Sequence, residues 1–320
     1  MNSVAAIIPS WNTAVHLERC LSSLAAQSGV RVETMVVDNG STDASLDVLK
    51  RRGVRHIALP SNVGFAGAVN LGAADTSAPF VMVLNADCFL APECVQLLVG
   101  ELATDPRLGG IQPRILQEDG GDGGLRIYSA GQCLTRYGVA FERGWGEPDG
   151  PPFADRREVF GVSGAACLLR RELFTDLGGY DATYFAFFED VDLNARARLA
   201  GWRFAYLPAA LAVHVGHAAW RQEPRSKRFN VELTVRNRLA TALKVLPARG
   251  VVGSAALTLR SLAASPLHGT SAAVLAGTVT AVRWLPRLLR QRRLLRHDSP
   301  QLLDAWLERA PGPGPHPDHA

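Results

Sequence analysis

The sequence predicts an α/β fold in which helices cover a mostly parallel sheet. Three observations support this prediction: short buried runs rich in β-branched residues, helical patterns between them, and polar residues at the end of each run. The chain has 320 residues, of which 47% are hydrophobic and 20% charged. It can therefore bury a large core, and this composition excludes an intrinsically disordered protein.

The first half alternates predicted strands and helices. Residues 4–8 and 32–37 have the pattern of buried strands. The apolar residues between them recur at helical spacing: Leu17, Cys20, Leu21, Leu24 and Ala25. We then expect a weak strand at 54–59, a helix at 65–74 and a strong buried strand at 80–84. This alternation is typical of a parallel sheet with helices on both faces.

The second half begins with a segment that lacks periodicity. Residues 117–158 are rich in Gly, Pro, Asp and Arg, which predicts a loop, either a partner-binding insertion or a simple connection. Order returns at 164–171, followed by a helix at 190–200 that ends at Gly201 and by strands near Phe204 and Val213.

The composition divides the chain into three predicted parts. Residues 1–225 form a catalytic domain with a ligand-binding half (1–116) and a second half (117–225), residues 226–309 a helical basic extension, and residues 310–320 a disordered tail.

Charge is unevenly distributed along the chain. The net charge is +4, but the segment from Leu233 to His297 has eleven Lys and Arg and no Asp or Glu, which leaves the rest near −7. Residues 283–297 mix Leu with six Arg. Such a stretch either contacts an anionic membrane surface or forms a solvated helix that packs on the catalytic domain or a second copy. A nucleic-acid partner is not expected, because Trp284 is almost the only aromatic residue there. The oligomeric state stays open.

The cysteines and the apolar runs indicate the cellular compartment in which the protein is expected. The five cysteines form no C-x-x-C pair, so we expect reduced, mostly buried thiols in a cytoplasmic protein. The first residues lack the basic flank of a signal peptide. No uninterrupted apolar run reaches the roughly 20 residues needed to cross a bilayer, so a membrane-spanning helix is not expected.

Polar residues at the predicted strand ends mark candidate ligand contacts, because ligands of parallel α/β sheets bind there. The first strand ends in Pro9, Ser10, Trp11 and Asn12, where Ser10 or Asn12 either caps the next helix or contacts a ligand. The second strand ends in Asp38 and Asn39. Asp38 either accepts turn hydrogen bonds or binds the base or ribose of a nucleotide. The small-residue stretch 61–72 adds Asn62, Gly64 and Asn70, and it allows close approach to a neighbouring strand or a diphosphate.

The strand at 80–84 is followed by Asn85 and Asp87, whose side chains point to the same side of an extended chain. A carboxylate at a strand end is a common ligand for Mg²⁺ or Mn²⁺ that is shared with substrate phosphates. The alternative is an Asx turn that leads into the next helix.

These stretches, in this order, resemble glycosyltransferase family 2, the inverting nucleotide-sugar transferases of the GT-A fold, and within it the rhamnosyltransferase-like branch. "NAD" (85–87) stands where the family usually has its D-x-D metal motif, and that branch tolerates Asn in the first position. The resemblance continues through "GGYDATYFAFFEDVDLNARARLAGWRF" (178–204), "AVHVGH" (212–217) and "RN" (236–237), and it covers roughly the first 240 residues.

The resemblance implies roles for individual residues. Asp190 is the second acid of the family's E-D motif, its catalytic base, and an acceptor hydroxyl needs such a carboxylate to take its proton. Acids in the first turn would also complement the helix dipole, and Glu189 is the alternative base. His214 lies 24 residues after Asp190, as the family's metal ligand does, which gives Asp87 and His214 as ligands of Mn²⁺ or Mg²⁺ and His217 as the alternative. The residues expected to bind the acceptor are Gly164, Ala165, Phe188, Glu189 and Asp192.

The expected function is metal-dependent, inverting transfer of a sugar from a nucleotide diphosphate to a lipid-linked or cell-wall glycan. The resemblance suggests dTDP-rhamnose as the donor and attachment to the inner face of the plasma membrane. Two alternatives stay open: a non-catalytic glycan-binding or scaffold protein, and a sugar nucleotidyltransferase. The latter should have a basic Gly-rich loop after the first strand, where "PSWNTAVH" has none.

Overall fold

The computed structural model describes residues 3–118, 125–216, 226–295 and 301–308. Its first half contains β1 (Ser3–Ser10), α1 (Ala14–Ala25), β2 (Arg31–Asp38), α2 (Ser45–Arg52), β3 (His56–Ala58), α3 (Gly64–Ala74), β4 (Phe80–Leu84), β5 (Cys88–Leu90), α4 (Cys94–Thr104) and β6 (Leu108–Gln117). The strands and helices predicted in residues 4–84 are therefore confirmed.

The second half continues with shorter strands and then helices. The elements are β7 (Arg126–Ser129), β8 (Gln132–Thr135), β9 (Ala140–Glu142), β10 (Arg157–Val159), β11 (Ala166–Arg170), α5 (Arg171–Asp176), α6 (Glu189–Leu199), β12 (Arg203–His214), α7 (Ser226–Val245), α8 (Ala248–His268), α9 (Ser271–Arg283), α10 (Leu285–Leu295), α11 (Gln301–Asp304) and β13 (Leu307–Glu308). Two 3₁₀ turns lie at Pro151–Phe153 and Ala182–Tyr184.

The main sheet of the described chain has the order β10-β12-β6-β11-β4-β1-β2-β3, with β5 beside β12 and β7 beside β6. Strand β1 pairs in parallel with β2 and β4, and β12 pairs in parallel with β6. Only β10 and β11 run against the other strands on this path. The prediction of a mostly parallel sheet is thus confirmed. Because Ser10 lies opposite Asp38, the polar ends of β1 and β2 lie side by side.

Two apolar layers cover the sheet. Alternate residues of β1 belong to different layers: Val4, Ala6 and Ile8 pack with α1 and α4, whereas Ala5 and Ile7 pack with α3 and α6. This is the two-residue period of a strand buried on both faces.

The segment at 117–158 is not the simple loop that its composition predicts. Among its described residues it contains β7, β8, β9 and β10, and β8, β9 and β13 form a second, small sheet. Each of these four strands has only three or four residues, which is too short for a period of two to be recognised between glycines. The strands expected near Phe204 and Val213 are one strand, β12.

The C-terminal helices pack on one another and on residues 1–216: α7 contacts α9 and α10, and it also contacts α6. Helix α7 begins at Ser226, near the predicted boundary at residue 225. The domain boundaries themselves stay predictions, and the predicted tail at 310–320 lies outside the described residues. Within the described ranges no single helix is long and apolar enough to span a membrane, although the pair α9 and α10, bent by 60°, reaches the necessary length and composition together.

Candidate active site

A cavity of about 260 Å³ opens where β1 and β4 end, between the sheet and the loop before α6. The predicted residues in its wall are Pro9, Ser10, Trp11, Asn39, Asn62, Gly64, Asn85, Asp87, Gly164, Ala165, Phe188, Glu189, Asp190 and His214. Residues predicted from separate motifs therefore share one cavity.

The expected donor side is held together by asparagine side chains. Asn39 is buried, its amide donates to the Gly64 carbonyl at 3.1 Å, and its oxygen accepts from the Val63 amide at 2.8 Å. Asn62 accepts from the Gly64 amide at 2.8 Å. Gly64 has a φ of +83°, and a Cβ there would lie 2.4 Å from the Phe185 carbonyl oxygen. Only glycine fits this contact between α3 and the loop before α6.

Asp38 lies next to the cavity. One carboxylate oxygen accepts from the Ser41 amide at 3.1 Å, but the other, Oδ1, is buried and has no hydrogen-bond partner in the structure. A buried acceptor without a donor costs free energy. Asp38 thus retains an unused acceptor at the end of β2, and its contact with a base or ribose stays a prediction.

Asn12 and Asn70, like Asp38, do not line the cavity, whereas the remaining residues of the expected donor side do. Asn12 joins two loops by accepting from the Thr42 amide at 2.8 Å. Asn70 binds the backbone of Tyr180 at both its N–H and its carbonyl, at 2.9 and 2.7 Å. Because these contacts use both ends of the Asn70 amide, the structure gives it a structural role in place of the expected donor contact.

Asp87 and His214, predicted as metal ligands, meet in the wall of the cavity. Nε2 of His214 lies 3.1 Å from Oδ1 of Asp87 and 3.2 Å from Nδ2 of Asn85. The edge of Tyr128 packs against the imidazole at 4.4 Å between ring centroids. Two neighbouring ligands of an octahedral ion lie about 3 Å apart when each bond is about 2.1 Å. The pair therefore fits one divalent cation, and the alternative ligand, His217, lies outside the described residues.

The wall of the cavity is acidic. Asp87, Glu142, Glu189 and Asp190 line it, and no Lys or Arg of the described ranges does. A bound diphosphate would therefore face several carboxyl groups at short range. A divalent cation at Asp87 and His214 would supply positive charge where the phosphates lie.

Asp190 is partly buried at the start of α6 and its carboxylate is held in place. Oδ2 accepts from the Gly164 amide at 2.9 Å and from Nε2 of Gln132 at 3.0 Å. Burial raises the pKa of Asp190 above its ordinary value of 3.8, while these hydrogen bonds oppose the rise. The carboxylate is thus more basic than an exposed one, which suits a proton acceptor.

The neighbouring acids differ in environment. Glu189 lines the cavity, and burial together with the charge of Asp190 raises its pKa well above the ordinary range. Asp192, predicted to bind the acceptor, does not line the cavity: it is fully buried, 2.7 Å from both Nζ of Lys244 and Nε of Arg196. Burial opposes its ionisation, yet these two cations hold its pKa below normal. The structure therefore assigns Asp192 an internal ion pair in place of acceptor binding.

The loop before Asp190 is strained. Phe185, Phe187 and Phe188 have φ values of 66°, 65° and 68°, a region that costs a non-glycine residue about 1–2 kcal/mol. All three side chains line the cavity. Strain of this kind persists only where surrounding contacts hold it.

Those contacts come from α7. Nδ2 of the fully buried Asn237 donates to the carbonyl oxygens of Tyr184, Ala186 and Phe187 at 2.8–2.9 Å. Arg236 donates to the carbonyl of Tyr184 at 2.7 Å. We call these contacts the α7 clamp.

The sequence did not reveal two polar residues of the cavity, Gln132 and Glu142, because they lie in the segment predicted as a loop. Gln132 is at the start of β8 and Glu142 at the end of β9. Burial and the charge of Asp190 raise the pKa of Glu142 to about 7. The short alternation in "GQCLT" and "VAFE" is the only signal that marks these strands.

Comparisons with known proteins identify the family of the chain. The model of glycosyl transferase family 2 matches residues 5–178. The N-acetylglucosaminyl-diphospho-decaprenol L-rhamnosyltransferase of Mycobacterium tuberculosis (strain ATCC 25618 / H37Rv) is 32% identical over 242 residues, which cover 68% of this chain and 77% of the relative.

Solved structures share the fold at lower identity. GalNAc-T7 with UDP, GalNAc and Mn²⁺ superposes with a TM-score of 0.63 at 16% identity, over 89% of this chain and 56% of that one. S. aureus TarS 1-349 with UDP-GlcNAc gives 0.59 at 16% identity, over 95% and 91%. The chain is a glycosyltransferase of family 2, has the GT-A fold and belongs to the rhamnosyltransferase-like branch.

Proposed function

We propose that this glycosyltransferase moves L-rhamnose from dTDP-rhamnose to a polyprenyl-diphosphate-linked glycan, with inversion and with a divalent metal. The observation that carries the proposal is the shared cavity, in which most of the expected donor-side residues, the Asp87–His214 pair and Asp190 face one space. The similarity to an enzyme whose name gives rhamnose and a decaprenyl diphosphate acceptor supports these two substrates.

The chemistry follows from the residues. Asp190 takes the proton of an acceptor hydroxyl as that oxygen forms a bond to the anomeric carbon. The bond from this carbon to the phosphate oxygen breaks at the same time, and its electron pair leaves with the nucleoside diphosphate. Attack opposite the leaving group inverts the anomeric centre, so no covalent enzyme intermediate forms. The loop before α6, which contains Phe185, Phe187 and Phe188 and is called the aromatic loop below, keeps water from the Asp190 carboxylate. It also provides apolar walls for a sugar ring.

Asp87 and His214 would hold the Mn²⁺ or Mg²⁺ ion. When bound, the ion would neutralise charge on the diphosphate that departs. The acidic wall of the cavity supports the need for a cation, because carboxyl groups alone would repel a diphosphate.

Calorimetry with nucleotide sugars tests the donor and the metal together. We expect dTDP-rhamnose to bind in the presence of Mn²⁺ and to lose binding with EDTA, whereas UDP- and GDP-sugars bind more weakly. In Asp87→Ala and His214→Ala the Kd for the donor should rise more than about tenfold, because each variant removes a metal ligand. Asp47→Asn, an exposed acid outside the cavity, is the matched control. Binding that is equally tight with EDTA would contradict metal dependence, and preference for another donor would replace rhamnose.

We also propose that the C-terminal helices contact an anionic membrane surface. Four exposed aliphatic residues in these helices each adjoin an exposed arginine: Leu259 and Arg260, Val282 and Arg283, Leu289 and Arg290, Leu294 and Arg293. Val282 and Leu294 are 60% and 77% exposed. Aliphatic side chains beside arginines suit the boundary between anionic headgroups and acyl chains. A polyprenyl-linked acceptor would lie in such a membrane.

Vesicle sedimentation tests this contact. The double variant R290Q/R293Q should bind phosphatidylglycerol vesicles about thirtyfold more weakly, since each arginine near the surface contributes about 1 kcal/mol. The control R31Q/R107Q changes two exposed arginines of the catalytic half and should leave binding unchanged. Equal binding to neutral phosphatidylcholine vesicles, or equal effects of the two double variants, would contradict the proposal.

A further inference from the structure

Gln132 connects two carboxyl groups in the cavity. Its Nε2 donates to Oδ2 of Asp190 at 3.0 Å and to Oε1 of Glu142 at 3.4 Å. The orientation of the amide is fixed, because Oε1 of Gln132 accepts from Nδ2 of Asn194 at 2.8 Å. Asn194 in turn donates to the Val162 carbonyl at 2.9 Å. One buried NH₂ group thus faces both acids.

Glu142 is also held from its other side, where the Ser129 hydroxyl donates to Oε2. The groups that face Glu142 are Asp190 from α6, Gln132 from β8, Ser129 from β7 and Ser163 from the chain before β11. Glu189 lies in the same cavity wall, and Arg143 follows Glu142 in the chain. The other titratable side chains on which the charge of Glu142 acts are Tyr128, Cys133 and Cys167. Burial raises the pKa of all three, so they stay neutral near pH 7. Asp190 is therefore the charged group to which Glu142 responds.

We propose that Glu142 is a positioning residue for the base, which acts through Gln132 and sets the proton affinity of Asp190. This inference rests on the proposed function, because it assigns Asp190 the proton of the acceptor. When Glu142 is neutral, the Gln132 amide donates mainly to Asp190 and stabilises its charge. When Glu142 is ionised, a second anion faces the same NH₂ group, and the negative charge on Asp190 becomes less favourable. Asp190 then holds a proton more strongly and becomes a better acceptor for the hydroxyl proton.

The proton balance is simple. At the lower pH the pair holds one proton, on Glu142, and one negative charge, on Asp190. Loss of the proton from Glu142 to solvent leaves both carboxyl groups charged, and the next proton that enters, from the acceptor hydroxyl, goes to Asp190. Because the pKa of Glu142 is about 7, this change falls between pH 6 and 8.

The test is the pH dependence of kcat in Glu142→Gln. In the wild-type enzyme we expect kcat to rise about three- to tenfold between pH 6 and 8, since a stronger base accelerates proton transfer. The variant keeps the shape of the side chain and its acceptor oxygen but cannot ionise, so this rise should disappear. Glu147→Gln, in the same segment but without a hydrogen bond to Gln132, is the matched control and should keep the wild-type profile. An E142Q profile that rises as in the wild type overturns the proposal.

A second measurement does not depend on turnover. With ¹³C-labelled carboxyl groups, Asp190 should show a chemical-shift step at the pH where Glu142 titrates, and the step should be absent in E142Q and weaker in Gln132→Leu. An Asp190 signal without this step overturns the inference. Calorimetric titration of dTDP in the presence of Mn²⁺ distinguishes failure of the proposed function from failure of the role of Glu142. If the nucleotide does not bind to the wild-type protein, the proposed function fails. If it binds but the wild type and E142Q have identical pH profiles, only the role of Glu142 is refuted.

Discussion

Asp190→Asn is expected to bind the donor as the wild-type enzyme does and to lose transfer, with kcat reduced about 10³-fold. Removal of a general base typically costs 10²–10⁴-fold, and the Gly164 amide and Nε2 of Gln132 hold the Asp190 carboxylate in the cavity wall. The asparagine is close in size and can still accept from the Gly164 amide. Binding by calorimetry and steady-state kinetics measure the two effects separately.

Glu189→Gln is the appropriate comparison, because Glu189 is the adjacent acid in the same wall. Its pKa lies well above the ordinary range, owing to burial and to the charge of Asp190, so it ionises less readily than Asp190. We expect this variant to retain much of the activity. Wild-type turnover in Asp190→Asn together with loss in Glu189→Gln would move the base to Glu189.

The second large effect is expected for Asn237→Ala, which removes the central part of the α7 clamp. Three carbonyl oxygens would each lose one hydrogen bond to a fully buried donor, although Arg236 still donates to Tyr184, and the free energy of unfolding should fall by about 2–3 kcal/mol. The strained Phe187 and Phe188 would be free to relax. Because Phe188 is the N-cap of α6, relaxation moves the start of the helix that carries Asp190, and kcat should fall at least about tenfold.

Asn230→Ala is the control on the same helix, since Asn230 has no hydrogen bond to the loop and its Oδ1 has no partner. Urea denaturation and kcat measured at a temperature where both variants are folded separate stability from positioning. Equal effects of the two substitutions, or full activity of folded Asn237→Ala, would show that the loop keeps its conformation without the clamp.

The sequence predicts the expected donor half (residues 1–116) more completely than the expected acceptor half (residues 117–225). The strands at residues 4–8 and 80–84 are buried on both faces, the strand at 32–37 is buried from Met35 onward, and each is followed by polar residues, so both the sheet and the residues at its ends can be inferred from pattern. Asp190 and His214 follow from the resemblance to the family, since a single carboxylate or histidine does not reveal its role by spacing.

What the pattern does not predict depends on contacts between distant residues. Gln132 and Glu142 enter the cavity through strands of three or four residues, whose pairing is fixed by the rest of the sheet. Asp192 has the same type of side chain as Asp190 two positions earlier, yet helix geometry turns it away from the cavity toward Lys244. Asn70 likewise lies within a glycine-rich stretch of the donor half but contacts Tyr180, 110 residues later.

The α7 clamp also has a consequence for the order in which parts of the chain can fold during synthesis. The carbonyl groups that Asn237 holds lie 50–53 residues before it in the chain. During synthesis the donor half can form its sheet as it emerges, because β1 to β4 pair with one another. The hydrogen bonds that Asn237 donates to the aromatic loop can form only after α7 has left the ribosome. A nascent chain that ends within α6 would therefore have the metal-ligand candidate Asp87 at its strand end, while the loop before Asp190 would still lack the hydrogen bonds from α7.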